Sequence, residues 1–165
     1  MAPILDVRNL QTHFFTKGGV LKAVDGVSFE IGAGEIVGLV GESGSGKSIT
    51  GFSILGLVDE PGRIVGGEIL FKGKDLKTLP VAEMQKMRGS SIGMIFQDPM
   101  MTLNPVLRIE TQMIEAIQTH DSSVSKDEAR QRSRDALGLV GISSPEERMR
   151  AYPHQFSGGM RQRVS

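Results

Sequence analysis

The stretch that decides the fold is "GESGSGKS", Gly41 to Ser48, which fits the spacing G-x-x-x-x-G-K-[ST] without a gap. It stands between an apolar run, residues 36–40, and a segment of helical periodicity, residues 47–57. Glycines let backbone N–H groups turn inward around an anion, and the start of a helix adds unpaired N–H groups and the positive end of its dipole. The sequence therefore predicts a phosphate-binding loop between a buried strand and a helix.

The side chains of this loop have separate predicted roles. Lys47 would reach the β and γ phosphates of a nucleotide, and the Ser48 hydroxyl would bind Mg²⁺. The residues expected to surround the phosphates are Gly41, Ser43, Gly44, Ser45, Gly46, Lys47 and Ser48. Such a loop indicates nucleotide binding, but by itself it leaves open kinases, GTPases, recombinases and transporter ATPases.

The composition is that of an ordinary globular protein. Nineteen basic residues balance nineteen acidic ones, so no overall field attracts nucleic acid or an anionic membrane. The chain has no cysteine, which excludes disulfides. Its start has no basic and apolar pattern of a secretory signal, and its apolar runs are shorter than the roughly 20 residues of a membrane helix. Any anion binding must therefore be local.

Several strands are predicted around the loop. Residues 4–7, "VSFEI" at 27–31 and "GGEILFKG" at 66–73 read as short strands, and the alternation in "VSFEI" is typical of a half-buried antiparallel strand. The apolar runs at 36–40 and in "SIGMIFQ" at 91–97 predict strands that are covered on both faces. The fold class that this order indicates is α/β.

Helices are predicted after Gln97. Residues 106–117 carry apolar side chains at helical spacing. Ser125 and Glu128 form a capping box that starts a second helix, which stops at Gly141. The expected buried face of this helix is Ala129, Ser133, Ala136, Leu137 and Val140.

Three further features narrow the class of nucleotide-binding protein. Gln97 ends an apolar run, Ser157-Gly158-Gly159 precedes the final helix, and Phe14-Phe15 follows the first strand. With the phosphate loop, these features resemble the nucleotide-binding subunit of an ABC transporter, from about residue 4 to 165. The resemblance implies a P-loop NTPase fold of the ABC type, with an N-terminal antiparallel β subdomain and a helical subdomain.

The resemblance also implies residue roles. Phe14 would stack on the adenine of ATP, with Phe15 as the fallback. Lys47 and Gln97 would be catalytic. Gln97 would contact the Mg²⁺ ion or the attacking water, and Ser48 would be the other ligand of the ion. Ser157, Gly158 and Gly159 would bind the γ phosphate of ATP held by a second subunit.

The sequences of two segments are similar to those of one branch of that family. "IFQDPMMTLNP" and "YPHQFSGGMRQRV" resemble the peptide and nickel importers. The implied function is ATP-driven uptake of peptides or nickel at the cytoplasmic face of the cell membrane. The implied partners are membrane-spanning permease subunits, a second ATPase subunit, identical or a sister chain, and indirectly a solute-binding protein; nucleic acid is not among them.

Each assignment has an ordinary structural alternative. Gln97 is a polar residue at a strand end, the two phenylalanines could fill a core, and Ser157 is a favoured helix N-cap. His13, His120 and His154 have no metal-ligand spacing, and Arg130, Arg132 and Arg134 suggest a solvated helix face. The sequence differs from the commonest residues of that family at three positions, Ile49, Phe156 and Met160.

The final helix breaks off shortly after Ser157. In the family, the acidic pair for hydrolysis and a histidine loop come after this helix, so we expect a partial ABC ATPase domain with an incomplete core sheet, prone to aggregation. We expect antiparallel strands and the P-loop core over about 1–97 and a helical subdomain over about 98–156. Residues 157–165 are expected to start the signature helix. We expect this chain to hydrolyse ATP poorly or not at all. The rival functions are a nucleotide-binding module without hydrolysis, a non-transport ABC ATPase and a P-loop kinase.

Overall fold

The computed structural model describes residues 2–96 and 102–165. The chain divides into two compact units, Met1–Ile92 and Gly93–Ser165. The first contains strands and the phosphate-loop sequence, and the second is helical. The predicted division at about residues 97 and 156 stays a prediction.

The first unit is built on a four-stranded antiparallel sheet with the order β2-β1-β3-β4. The strands are β1 (Leu5–Thr16), β2 (Gly19–Ile31), β3 (Gly62–Phe71) and β4 (Lys74–Asp75). The predicted antiparallel strands are confirmed, although β1 to β3 are longer than their sequence patterns suggest. Apolar residues from each of the three long strands reach the core.

Two helices pack in this unit, α1 (Lys47–Ile54) and α2 (Val81–Met87). The core consists of Val7, Leu10, Val24, Ile69, Leu76 and Met84. Ile49 and Ile54 of α1 pack against it from the side of the phosphate-loop sequence. The predicted helix 47–57 ends earlier than expected, because Gly56 adopts a left-handed φ of 60° that reverses the chain.

Two predicted buried strands are wrong. Residues 36–40 pair with no strand among the described residues, and Ile36 and Val40 are 99% and 93% exposed. Of the predicted strand 91–97, Ile92 forms an isolated bridge with Arg88, and residues 93–96 form no strand. A fully apolar strand is stable only where neighbours pair its backbone and cover both faces. No described strand does this for either segment. The apolar pattern was therefore insufficient to predict pairing.

The second unit consists of the helices α3 (Ile109–His120), α4 (Lys126–Leu139), α5 (Pro145–Met149) and α6 (Gly158–Val164). Their apolar faces meet in small clusters. One contains Leu103, Ile109 and Phe156, and another contains Leu137, Ile142 and Met149; Met160 and Val164 of α6 pack against both.

Within the described residues, no helix is long and apolar enough to cross a membrane.

The helical predictions hold with two corrections. The helix predicted from Val106 begins at Ile109, because the Asn104 side chain accepts a hydrogen bond from the Val106 N–H and stabilises a turn there. On α4, Ser125 accepts from the Glu128 N–H, which is one half of the predicted capping box, while the Glu128 carboxylate pairs with Arg132. Ala136 and Val140 are exposed, since the buried stripe follows the four-residue spacing of Ala129, Ser133 and Leu137.

Candidate functional site

The loop Gly41–Ser48 leads directly into α1. Gly44 and Gly46 adopt left-handed φ values of 82° and 91°, which glycine reaches at little cost. Gly46 is the N-cap residue of α1, and no side chain caps this helix end. The N-cap residue therefore supplies no side-chain acceptor to the first N–H groups of α1, and N–H groups at a helix start attract anions.

Gly46 also fixes the loop against the sheet. A Cβ added at Gly46 would lie 2.2 Å from the carbonyl oxygen of Ala23 in β2, so only glycine fits this close approach. The N–H and hydroxyl of Thr50 both donate to the Gly46 carbonyl, at 2.8 and 3.0 Å. The start of α1 is thus held by the strand on one side and by its own first turn on the other.

The Lys47 ammonium lies inside the loop. Its Nζ donates to the carbonyl oxygens of Gly41 and Glu42, both at 2.7 Å, and to the Ser45 hydroxyl at 3.3 Å. Ser48 follows in the first turn of α1 and is exposed. A cation, a hydroxyl and helix N–H groups therefore come together at one place.

This arrangement fits the phosphates of a nucleotide. The ammonium and the helix end both favour negative charge, and the glycines leave the backbone approachable. The Ser48 hydroxyl is the type of oxygen ligand that Mg²⁺ accepts beside phosphate oxygens. Lys47 would have to exchange its carbonyl partners for phosphate oxygens.

The two phenylalanines near the end of β1 have different surroundings. Phe14 is half-buried, and its ring lies over Gly62 in β3. Phe15 is 39% exposed, with the Arg63 guanidinium 4.1 Å from its ring centroid. Phe15 therefore already has a cationic partner on one face.

A buried hydrogen bond joins β1 to α1. The hydroxyls of Thr12 and Ser53 lie 2.8 Å apart, and Ser53 also bonds to the Ile49 carbonyl. Thr12 precedes Phe14 by two residues, and Ser53 is on the helix that the loop starts. This bond therefore ties the strand of Phe14 to the helix of the phosphate loop.

The residues Ser157, Gly158 and Gly159 lie in the second unit. Ser157 is exposed and caps α6 by accepting from the Met160 N–H at 3.3 Å. An added Cβ at Gly158 or Gly159 would meet nothing within 4 Å. The turn thus presents a hydroxyl and unencumbered backbone to solvent.

The remaining predicted site residues are placed as follows. Gln97 lies outside the described residues. His13 lies 3.6 Å from Asp25, whose pKa is lowered chiefly by a hydrogen bond from Lys22. No group of three or more possible metal ligands occurs in ranges 2–96 and 102–165. Arg130 is 39% exposed and pairs with Glu110 and Glu146, so it belongs to an ion-pair network at the surface.

Sequence reasoning missed three supporting residues. Gly62, Ala23 and Ser53 contact site elements only through tertiary packing, and no local motif marks them. Gly62 is the first residue of β3 in the structure, but the predicted strand began at Gly66, so the sequence pattern did not mark Gly62.

The chain is similar in sequence and in fold to known ABC transporter proteins. A family model described as ABC transporter matches residues 24–165. The probable peptide ABC transporter ATP-binding protein y4tR of Sinorhizobium fredii is 48% identical over 98% of this chain and 48% of its own length. The oligopeptide transport ATP-binding protein OppD of Bacillus subtilis is 49% identical over 98% of this chain and 45% of its own length.

Other matches point the same way. The dipeptide transport ATP-binding protein DppD of Escherichia coli is 45% identical over 98% of this chain and 49% of its own length. The dimeric structure of MJ0796, a bacterial ABC transporter cassette, superposes with a TM-score of 0.83 at 26% identity, covering 97% of this chain and 66% of the other. A post-hydrolysis state of the same cassette, bound to ADP and Pi, matches equally well. The chain spans about half the length of the curated relatives that it matches.

Proposed function

The chain belongs to the ABC transporter family, and we propose on this premise that it serves as the ATP-binding subunit of an importer. In this role, ATP binding and hydrolysis by the assembled importer drive the uptake of peptides across the cell membrane, and we expect these 165 residues by themselves to hydrolyse ATP poorly or not at all. The names of the relatives favour peptides over nickel as the imported solute. Its fold is the P-loop NTPase fold of the ABC type.

One observation carries the proposal. The Lys47 ammonium lies among the carbonyls of its own loop, at the start of α1, directly after the left-handed glycines Gly44 and Gly46. A triphosphate presents oxygens that can replace those carbonyls, and the positive helix end adds to the attraction. We assign the residues Gly41, Ser43, Gly44, Ser45, Gly46, Lys47 and Ser48 to the phosphates.

The other parts of the nucleotide have their own partners in the proposal. Phe14 stacks on the adenine ring, because its ring is half-buried whereas Phe15 has Arg63 beside it. Ser48 and Gln97 would hold Mg²⁺, which neutralises phosphate charge when bound. Lys47 and Gln97 are the proposed catalytic residues.

The subunit is proposed to act in a pair. Ser157, Gly158 and Gly159 bind the γ phosphate of ATP on a second ATPase subunit, because their turn presents a hydroxyl and open backbone to solvent. ATP then stabilises the closed pair, and its hydrolysis releases it. Permease subunits receive this motion at the cytoplasmic face of the membrane, and a solute-binding protein delivers the peptide to them.

Calorimetric titration of the chain with ATP and Mg²⁺ tests the binding step. Lys47→Ala should weaken ATP binding by about 10- to 100-fold, because charge-assisted hydrogen bonds are lost. Lys86→Ala, an exposed lysine on α2, is the matched control and should leave the affinity unchanged. Equal affinities for both variants would contradict the assignment.

Transport needs a separate test in the organism that encodes the chain. Loss of the gene should abolish uptake of labelled dipeptides or oligopeptides, and a copy with Lys47→Ala should fail to restore it. Uptake of labelled nickel is the control measurement. Undiminished peptide uptake in the deletion strain would refute the importer role while leaving ATP binding intact.

A further inference from the structure

Gly62 forms a slot for the ring of Phe14. It is the first residue of β3 and pairs directly with Phe14 in the β1–β3 ladder. Gly62 is buried, and a Cβ added there would lie 2.6 and 2.9 Å from two carbons of the Phe14 ring. The same Cβ would lie 2.8 Å from a methyl group of Val58. The ring therefore occupies the space that any side chain at residue 62 would need.

The backbone around this slot is held on both sides. The Phe15 N–H donates to the Pro61 carbonyl at 3.0 Å, and the Gly62 N–H donates to the Asp59 carbonyl at 2.9 Å. Separating β1 from β3 would break these bonds as well as the ladder. Val58 is β-branched and therefore stiff about χ1. The part that can yield to a new methyl group at residue 62 is the Phe14 ring.

We propose that Gly62 is a positioning residue for the nucleotide base: it sets the orientation of the Phe14 ring on which adenine stacks. This inference rests on the proposed function, in which Phe14 contacts the base. The atoms nearest to a Cβ added at Gly62 belong to Phe14 and Val58, and neither residue is among the proposed phosphate-binding residues. Its substitution should therefore affect recognition of the base and spare recognition of the phosphates.

The test compares ATP with inorganic tripolyphosphate, which has the phosphates but no base. Gly62→Ala in the full 165-residue chain should weaken ATP binding by about tenfold, because stacking of a base on an aromatic ring is lost or misaligned. Tripolyphosphate affinity should change by less than about twofold. Titration calorimetry in the presence of Mg²⁺ measures both ligands on the same protein.

Gly66→Ala is the matched control in the same strand. Its added Cβ would meet the end of the Gln11 side chain, at 2.9 Å from Oε1, which is flexible and can move aside. This variant should bind both ligands as the unchanged chain does. Phe14→Ala should reproduce the selective loss, and adding Gly62→Ala to it should cause no further loss.

A second variant covers the case in which Gly62→Ala does not fold. Val58→Ala widens the slot without adding atoms, so the ring gains freedom and ATP affinity should fall severalfold while tripolyphosphate affinity is kept. The inference is overturned if ATP affinity is unchanged in both variants while Phe14→Ala lowers it. It is also overturned if both ligands weaken equally, which would indicate a purely structural role.

The proposed function fails in a different way. If the unchanged chain binds neither ATP nor tripolyphosphate, the phosphate site itself is refuted. If it binds both and Phe14→Ala leaves the ratio of affinities unchanged, the base assignment to Phe14 is refuted, and the inference about Gly62 falls with it.

Discussion

Gly46→Ala should destabilise the first unit much more than Gly44→Ala. Both glycines have left-handed φ values, 91° and 82°, where an L residue costs about 1–2 kcal/mol. They differ in their surroundings. A Cβ at Gly46 would lie 2.2 Å from the Ala23 carbonyl oxygen, whereas a Cβ at Gly44 would meet nothing within 4 Å. Backbone strain is thus common to both variants, and the clash occurs in one.

The expected free-energy difference follows from this contact. The new Cβ and the Ala23 oxygen must separate by about 0.8 Å to reach 3.0 Å, the lower limit for real Cβ contacts. That movement strains the hydrogen bonds from Thr50 to Gly46, each worth about 1 kcal/mol. We expect Gly44→Ala to cost about 1–2 kcal/mol of unfolding free energy and Gly46→Ala about 3–4 kcal/mol.

Urea unfolding followed by far-ultraviolet circular dichroism measures these costs, and calorimetry with tripolyphosphate measures the loop itself. Gly46→Ala should also lose most of its tripolyphosphate affinity, because the helix start no longer sits against β2. Unfolding free energies of the two variants that agree within about 0.5 kcal/mol would refute the reasoning, since strain alone would then explain both.

Three further changes give measurable outcomes. Thr12→Val should cost about 1 kcal/mol, because the buried Ser53 hydroxyl loses a partner; a urea midpoint equal to that of the unchanged chain would contradict this. The pKa of Asp121 lies below its ordinary 3.8, chiefly through a hydrogen bond from the Ser123 hydroxyl, so Ser123→Ala should raise it. Any stability from this bond is present above pH 3.8 and is lost as the pH falls through the lowered pKa; an NMR titration with no rise would refute the assignment. Ser157→Ala should cost about 1 kcal/mol through loss of the α6 cap and should abolish ATP-dependent pairing of subunits in sedimentation; unchanged pairing would remove Ser157 from the partner site.

The phosphate loop could be predicted from the sequence because its residues are contiguous. Gly44, Gly46 and Lys47 act through the conformation of one short segment, so their spacing alone carries the mechanism. The cap at Ser125 was predictable for the same reason, since its partner lies three residues away.

Contacts between distant segments were not predictable in this way. Thr12 and Ser53 are 41 residues apart, and neither stands in a motif. The slot at Gly62 depends on the register of β1 and β3, which the sequence pattern does not fix. The run 36–40 shows that a local pattern can also predict too much. Its apolar residues favour a buried strand, but a strand needs neighbouring strands to pair with, and the described strands do not pair with it.

Because Lys47 bonds to two carbonyls of its own loop, the lysine also acts as an internal cross-link of the loop. Its removal would loosen the loop before any ligand arrives. The arrival of a nucleotide, in turn, is an exchange of oxygen partners around one ammonium. The affinity lost on truncating Lys47 therefore has two sources, the missing contact with phosphate and a less ordered loop. The contact itself is partly hidden in this loss, because the unchanged lysine must give up its two carbonyl bonds when phosphate binds.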